Sequence, residues 1–263
     1  MPEPPTGAAT TGGSDRRALA RRLSLVALAA EFVASVVAVD LVIEGRPTRA
    51  GTVLLVALSA RLLVVHGAGL RTTRSRLGVE LERILGVFTA VVVPALVVFG
   101  TFDQAVHDNL GISAFGVLVG TAALRHARLT SKPFPTDRCS YGLQPEMAGA
   151  TAMCAVLSHA FRRHSTAGVW AMFALVVVVA CLTIVPRPYP RPADRARRGL
   201  AAGAAVIGVA LVALDAVRPR MLFDVVAGAL LAYAVIAPWL LSPNERASWR
   251  EALEQWSAAR EPA

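Results

Sequence analysis

The chain has 263 residues, of which 55% are hydrophobic and 17% charged, and its mean hydropathy is +0.53. A soluble domain carries roughly a quarter of its residues as charges, so this composition points to a membrane protein. The formal net charge of +9 does not indicate a nucleic-acid partner, because nearly all of it is arginine held between apolar blocks, with Lys132 the only lysine.

Residues 1–22 begin with the Pro/Gly/Thr-rich run MPEPPTGAATTGGSD and read as a disordered tail. They lack the charged start of a signal peptide, so the first apolar block is expected to remain as a span. Residues 23–241 form the membrane domain. Its apolar blocks are roughly 23–43, 52–70, 84–102, 112–124, 147–161, 169–185, 200–217 and 221–241. A helix needs about 20 apolar residues to cross a ~30 Å hydrocarbon core. The expected fold is all-α: a polytopic membrane protein with about eight transmembrane helices, or six if block pairs are re-entrant. The blocks lack the period-two alternation of a spanning barrel. Residues 242–263 are expected to form a tail with a short surface helix.

Basic residues alternate between successive connections. Arg16, Arg17, Arg21 and Arg22 precede the first block, and Arg71, Arg74, Arg76 and Arg83 follow the second. Arg125, Arg128, Lys132 and Arg138 follow the fourth, and Arg187, Arg191, Arg195, Arg197 and Arg198 follow the sixth. By the positive-inside rule this is a multi-pass protein of the cell membrane with both termini in the cytoplasm and lipid headgroups as counter-ions. Cys139, Cys154 and Cys181 have neither pairing nor metal spacing and read as packing residues.

A charge inside a span is costly and calls for a partner. Glu31 and Arg61 fall at matching depths on the first two spans and are expected to pair. Asp40, Asp215 and Asp224 lie near span ends, where interfacial water can solvate them, and His159 reads as a hydrogen-bonded helix residue.

Three connections carry most of the chemistry: HGAGLRTTRSRLGVELERILG (66–86), LRHARLTSKPFPTDRCSYGLQPEMAG (124–149) and VPRPYPRPADRARRG (185–199). The sequence here resembles the CDP-alcohol phosphatidyltransferase family and, within it, the phosphatidylserine synthase branch. Gly67, Arg71 and Gly78 match the glycine, arginine and later glycine of the family's aspartate-rich signature. LRHARL, YGLQP, RPYP and AYAVIAPWLL resemble, in order, further elements of the branch from about residue 20 to 241.

The resemblance implies Mg²⁺ or Mn²⁺ as cofactor, held by four aspartates, with the last serving as general base. Those four positions align with Leu63, His66, Glu82 and Gly86, so Glu82 is the one carboxylate retained, with Glu80 beside it. One or two carboxylates suit a single Mg²⁺ bound with substrate phosphates, not a pair of ions. His66 is a further candidate ligand or catalytic residue, since imidazole suits transition metals. The arginines Arg71, Arg125, Arg128 and Arg187 can hold phosphate bidentately without metal.

The expectation is therefore a divergent paralog that binds lipid phosphate or CDP-diacylglycerol with metal-dependent catalysis impaired or lost. The resemblance further implies a homodimer or a partnership with an active paralog. An active phosphatidyltransferase with a site rebuilt from Glu80, Glu82 and His66 is the alternative. A small transporter using Glu31, Arg61, Asp215 and Asp224 is the third reading.

Overall fold

The computed structural model describes residues 11–62, 84–105, 109–135, 139–161, 164–190 and 219–258. The helices are α1 (Thr11–Ile43), α2 (Pro47–Leu62), α3 (Ile84–Ala105), α4 (Leu110–Ser131), α5 (Pro145–Leu157), α6 (Thr166–Cys181), α7 (Pro219–Ile236) and α8 (Pro243–Ala258). Two short strands, β1 (Cys139–Tyr141) and β2 (Pro188–Pro190), pair antiparallel with Ser140 opposite Tyr189.

The all-α expectation holds, and the count of eight spans does not. Among the described residues four helices are long and apolar enough to cross a membrane: Val26–Ile43, Ile84–Ala105, Leu110–Ser131 and Arg220–Trp239. Apolar blocks overcount spans because a helix buried inside protein is as apolar as one facing lipid, and runs of 10–14 residues favour the buried case. The block at 147–161 shows this: α5 has only 13 residues, and every residue from Ala148 to Leu157 is buried. The block at 169–185 folds as α6, 16 residues long, and α2 is also 16 residues as far as it is described. The block at 200–217 lies outside the described residues. At the N-terminus, helix begins at Thr11, well inside the segment expected to be a disordered tail.

Helix α3 is the hub. It packs against α1, α2, α4 and α5, and 56% of its span is buried against 17% for α1. Its start contains a π turn, Phe88–Val92, in which Val93 N–H donates to the Phe88 carbonyl. Pro94 supplies the reason. It has no N–H for the Ala90 carbonyl and would crowd it in a regular helix, so the ladder widens by one residue. Gly149 of α5 lies against that carbonyl, where a Cβ would stand 2.6 Å from Ala90 O.

Two ends of the bundle can be told apart. At the turn end, Gln104 Nε2 donates to Gly45 O (2.8 Å), joining the end of α3 to the α1–α2 turn. Gly51 there faces Leu157 and Phe223, so the end of α5 and the start of α7 belong to the same end. At the hairpin end lie the β1–β2 pair, the ends of α4, α6 and α7, and helix α8. Exposed Val33, Val36, Val37, Ile112 and Val235 leave the spanning helices with alkyl surfaces suited to lipid. Trp170 and Trp239, both exposed, stand near opposite ends, as interfacial aromatics do.

Helix α8 starts with a capping box. Ser242 N–H and Oγ–H both donate to Glu245 Oε2 (2.9 and 2.8 Å), and Glu245 N–H donates back to Ser242 Oγ (3.3 Å). The surface helix expected for residues 242–263 is thus present, and it is clamped. Trp249 and Trp256 bury their rings beside Phe134, and Trp256 also lies 5.2 Å from Tyr141 between ring centroids.

Candidate functional site

The hairpin end gathers two of the three connections singled out in the sequence. The turn Tyr141–Pro145 runs beside the segment after α6. Gly142 N–H donates to Arg187 O and Leu143 N–H to Leu182 O, both at 2.9 Å. Gly142 has φ +68°, and a Cβ there would meet Thr183 O at 2.5 Å, so both the turn and the close approach require glycine. Arg125, near the end of α4, donates from Nε (3.0 Å) and Nη2 (2.9 Å) to the carbonyl of Tyr141. Tyr189 O–H donates to Ala234 O (2.9 Å), fastening β2 to α7. Burial raises the Tyr189 pKa, and the neighbouring Arg187 charge works against that rise.

The candidate arginines therefore differ in role. Arg125 is engaged by backbone and acts as a brace of the hairpin. Arg128 is half-buried and Arg187 exposed at the same end, and no ion pair of either occurs among the described residues. These two remain suited to an anionic group arriving from solvent. His66, Gly67, Arg71, Gly78, Glu80 and Glu82 lie outside the described residues, as do Arg61 side-chain contacts and Asp215.

A second feature lies between α1 and α2, in the half of the protein toward the hairpin end. It is a cavity of about 450 Å³ walled by residues including Val26, Ala30, Thr52, Ala57 and Ala60. Glu31 forms part of its lining and is 2% exposed. Thr89, on the π turn, donates from Oγ1 to Glu31 Oε1 at 2.8 Å. A partner for Glu31 was expected from its depth; that Thr89 contributes was not legible, because the π turn that aims it forms only around Pro94.

Comparison of the chain with models of known protein families finds no match, and comparison with curated proteins finds none.

The acids and histidines sort by end. Asp224, assigned to interfacial water from the sequence, instead accepts two bonds from His159: backbone N–H to Oδ1 (2.8 Å) and Nδ1 to Oδ2 (2.7 Å). His159 follows α5, so the pair latches the end of α5 to the start of α7. Among the described residues no three His, Cys, Asp or Glu side chains stand together in a way that could hold an ion. Cys139 and Cys154 are buried and Cys181 half-buried, none of them in a disulfide, in keeping with packing roles.

Proposed function

We propose that this chain is a divergent relative of the CDP-alcohol phosphatidyltransferases, phosphatidylserine synthase-like in its motif order, that binds the phosphates of a membrane lipid such as CDP-diacylglycerol without two-metal turnover. The hairpin end would face the cytoplasm of a cell-membrane protein, as the arginine alternation argues. The observation that carries the reading is the meeting of LRHAR, YGLQP and RPYP around the Arg125–Tyr141 contact and the β1–β2 pair. These are three of the segments on which the resemblance rests, 124–128 and 141–145 in one connection and 187–190 in the next, and they are adjacent here.

In this reading Arg128 and Arg187, with Arg71, meet phosphate oxygens by charge-assisted hydrogen bonds. Arg125 positions the turn and does not touch the ligand. The missing aspartates remove both the ion clamp and the base that would take a proton from an incoming alcohol, so binding is retained and group transfer is not.

The test uses purified protein in phosphatidylcholine nanodiscs. CDP-diacylglycerol is expected to bind equally with EDTA and with Mg²⁺ or Mn²⁺. The Arg128→Gln/Arg187→Gln protein is expected to bind at least about 100-fold more weakly, from bonds to charged groups worth ~1.5–3 kcal/mol each. No CMP is expected on adding serine. Metal-dependent CMP release would establish the rebuilt-site enzyme instead, and absence of binding would remove the phosphate reading.

A further inference from the structure

We propose that α8 is a releasable strap whose tryptophan face exchanges its seat on the hairpin end for the membrane interface, uncovering Cys139 and freeing Lys132.

The seat is narrow. Trp249, Ala252, Leu253 and Trp256 stand at the spacing of one helix face, with Leu253 half-buried and the other three buried. Arg246, Arg250, Glu251 and Glu254 are exposed on the remainder. Among the described elements, no helix or strand packs extensively along α8. It is held instead by the connection after α4. Pro133 and Pro135 keep that chain from continuing as helix and leave Phe134 as a peg, its ring centroid 6.1 Å from those of both Trp249 and Trp256. Lys132 Nζ donates to the Trp256 carbonyl, and Trp256 Nε1–H donates back to Lys132 O. Cys139, Leu241 and Trp249 form a small cluster here, separate from the main core of the bundle.

The physical chemistry of the strap favours exchange. Trp249 Nε1–H is buried without a hydrogen-bond partner among the described residues. At a membrane interface the same ring keeps an apolar setting while its N–H reaches water or a headgroup. Trp239 and Leu240, 70% and 75% exposed, lead into α8 and bring its start to that interface. The bonds from Arg246 to Leu241 O and Trp239 O stay within the elbow between α7 and α8, so they do not tie α8 to the hairpin. The Ser242–Glu245 capping box is local as well and travels with the helix. An amphipathic helix of this kind lies in the interface plane, its apolar face inward and its charges in water. Lys132 is the chain's one lysine and comes four residues after Arg128. Docked, its ammonium is engaged by the Trp256 carbonyl; released, it adds a cation to the end of α4.

The exchange does not rest on the phosphate reading and is followed without added ligand. Full-length protein in phosphatidylcholine nanodiscs is labelled with N-ethylmaleimide below its unfolding temperature, and each cysteine is quantified by peptide mass spectrometry. Cys139 is expected to label through release of α8, while Cys154, in the main core, stays protected. Lys132→Gln removes the ammonium bond and is expected to speed Cys139 labelling about tenfold, the factor that a hydrogen bond to a charged group supplies. Trp249→Phe removes the unpaired donor and is expected to slow it about threefold. The destination is read in nanodiscs whose phosphatidylcholine carries bromine near the headgroup end of one acyl chain, which quenches nearby tryptophan. Lys132→Gln is expected to raise quenching above the parent, over a constant background from exposed Trp170 and Trp239. Cys139 labelling no faster in Lys132→Gln, Cys139 and Cys154 labelling together, or faster labelling without added quenching would each overturn the proposal.

Discussion

Arg125 holds the carbonyl oxygen of Tyr141 with two N–H groups, from Nε at 3.0 Å and Nη2 at 2.9 Å. One side chain thereby closes the connection between α4 and α5. Bonds from a charged donor are worth roughly 1.5–3 kcal/mol, so Arg125→Ala is expected to lower stability by about that amount. Arg125→Lys is expected to recover only part, because an ammonium lacks the planar fork. Thermal unfolding followed with a thiol-reactive dye reads this directly, since Cys139 and Cys154 are buried in the folded state. An alanine variant as stable as the parent would show that the brace does not matter.

Two helix glycines, one buried and one open, should respond in opposite directions to alanine. At Gly149 a Cβ would strike the Ala90 carbonyl, so Gly149→Ala is expected to cost about 1–3 kcal/mol by overpacking. At Gly116 of α4 nothing lies within 4 Å of a built Cβ, so Gly116→Ala is expected to be neutral or to stabilise by up to ~1 kcal/mol through helix propensity. The pair is compared by unfolding temperature in one detergent.

The two buried tryptophans of α8 also differ. Trp256 Nε1–H donates to Lys132 O at 3.1 Å, whereas Trp249 Nε1–H is buried with no hydrogen-bond partner among the described residues. Trp256→Phe is expected to cost about 1–3 kcal/mol by orphaning the carbonyl. Trp249→Phe keeps the aromatic contact and discards an unpaired donor, and is expected to change stability by less than ~1 kcal/mol. Tryptophan fluorescence during unfolding separates the two.

Thr89→Val removes the hydroxyl that donates to Glu31 Oε1 while keeping the side-chain shape. Because the carboxylate is buried, a loss of about 1–3 kcal/mol is expected. The Thr89→Val/Glu31→Leu double variant is expected to lose less than the two single losses added together, since each change removes the same contact. Additive losses would show that the two side chains do not interact.

Much of this architecture is written locally. Apolar block lengths announce helices, and the Ser-Pro-Asn-Glu cap of α8 and the Gly142 turn are visible in short windows. The number of spans is not local, because α5 looks like a spanning helix until its neighbours are known to bury all sides of it. Long-range pairings are likewise silent in the sequence. The Asp224–His159 latch and the meeting of Tyr189 with Ala234 depend on how helices order themselves around α3. The same limit holds for the candidate site: Arg125 and Arg187 look alike in the sequence, and only the fold separates a brace from an exposed cation.

The shortness of α5 reaches beyond packing. Thirteen residues rise only ~20 Å, well short of a ~30 Å hydrocarbon slab. A stiff rod of that length, anchored to longer neighbours, draws the backbone at its extremities inward from the headgroups. Non-helical chain survives at such depth only where other protein encloses it. The full burial of Cys139–Tyr141 meets that condition, so the shortness of α5 is accommodated by surrounding protein.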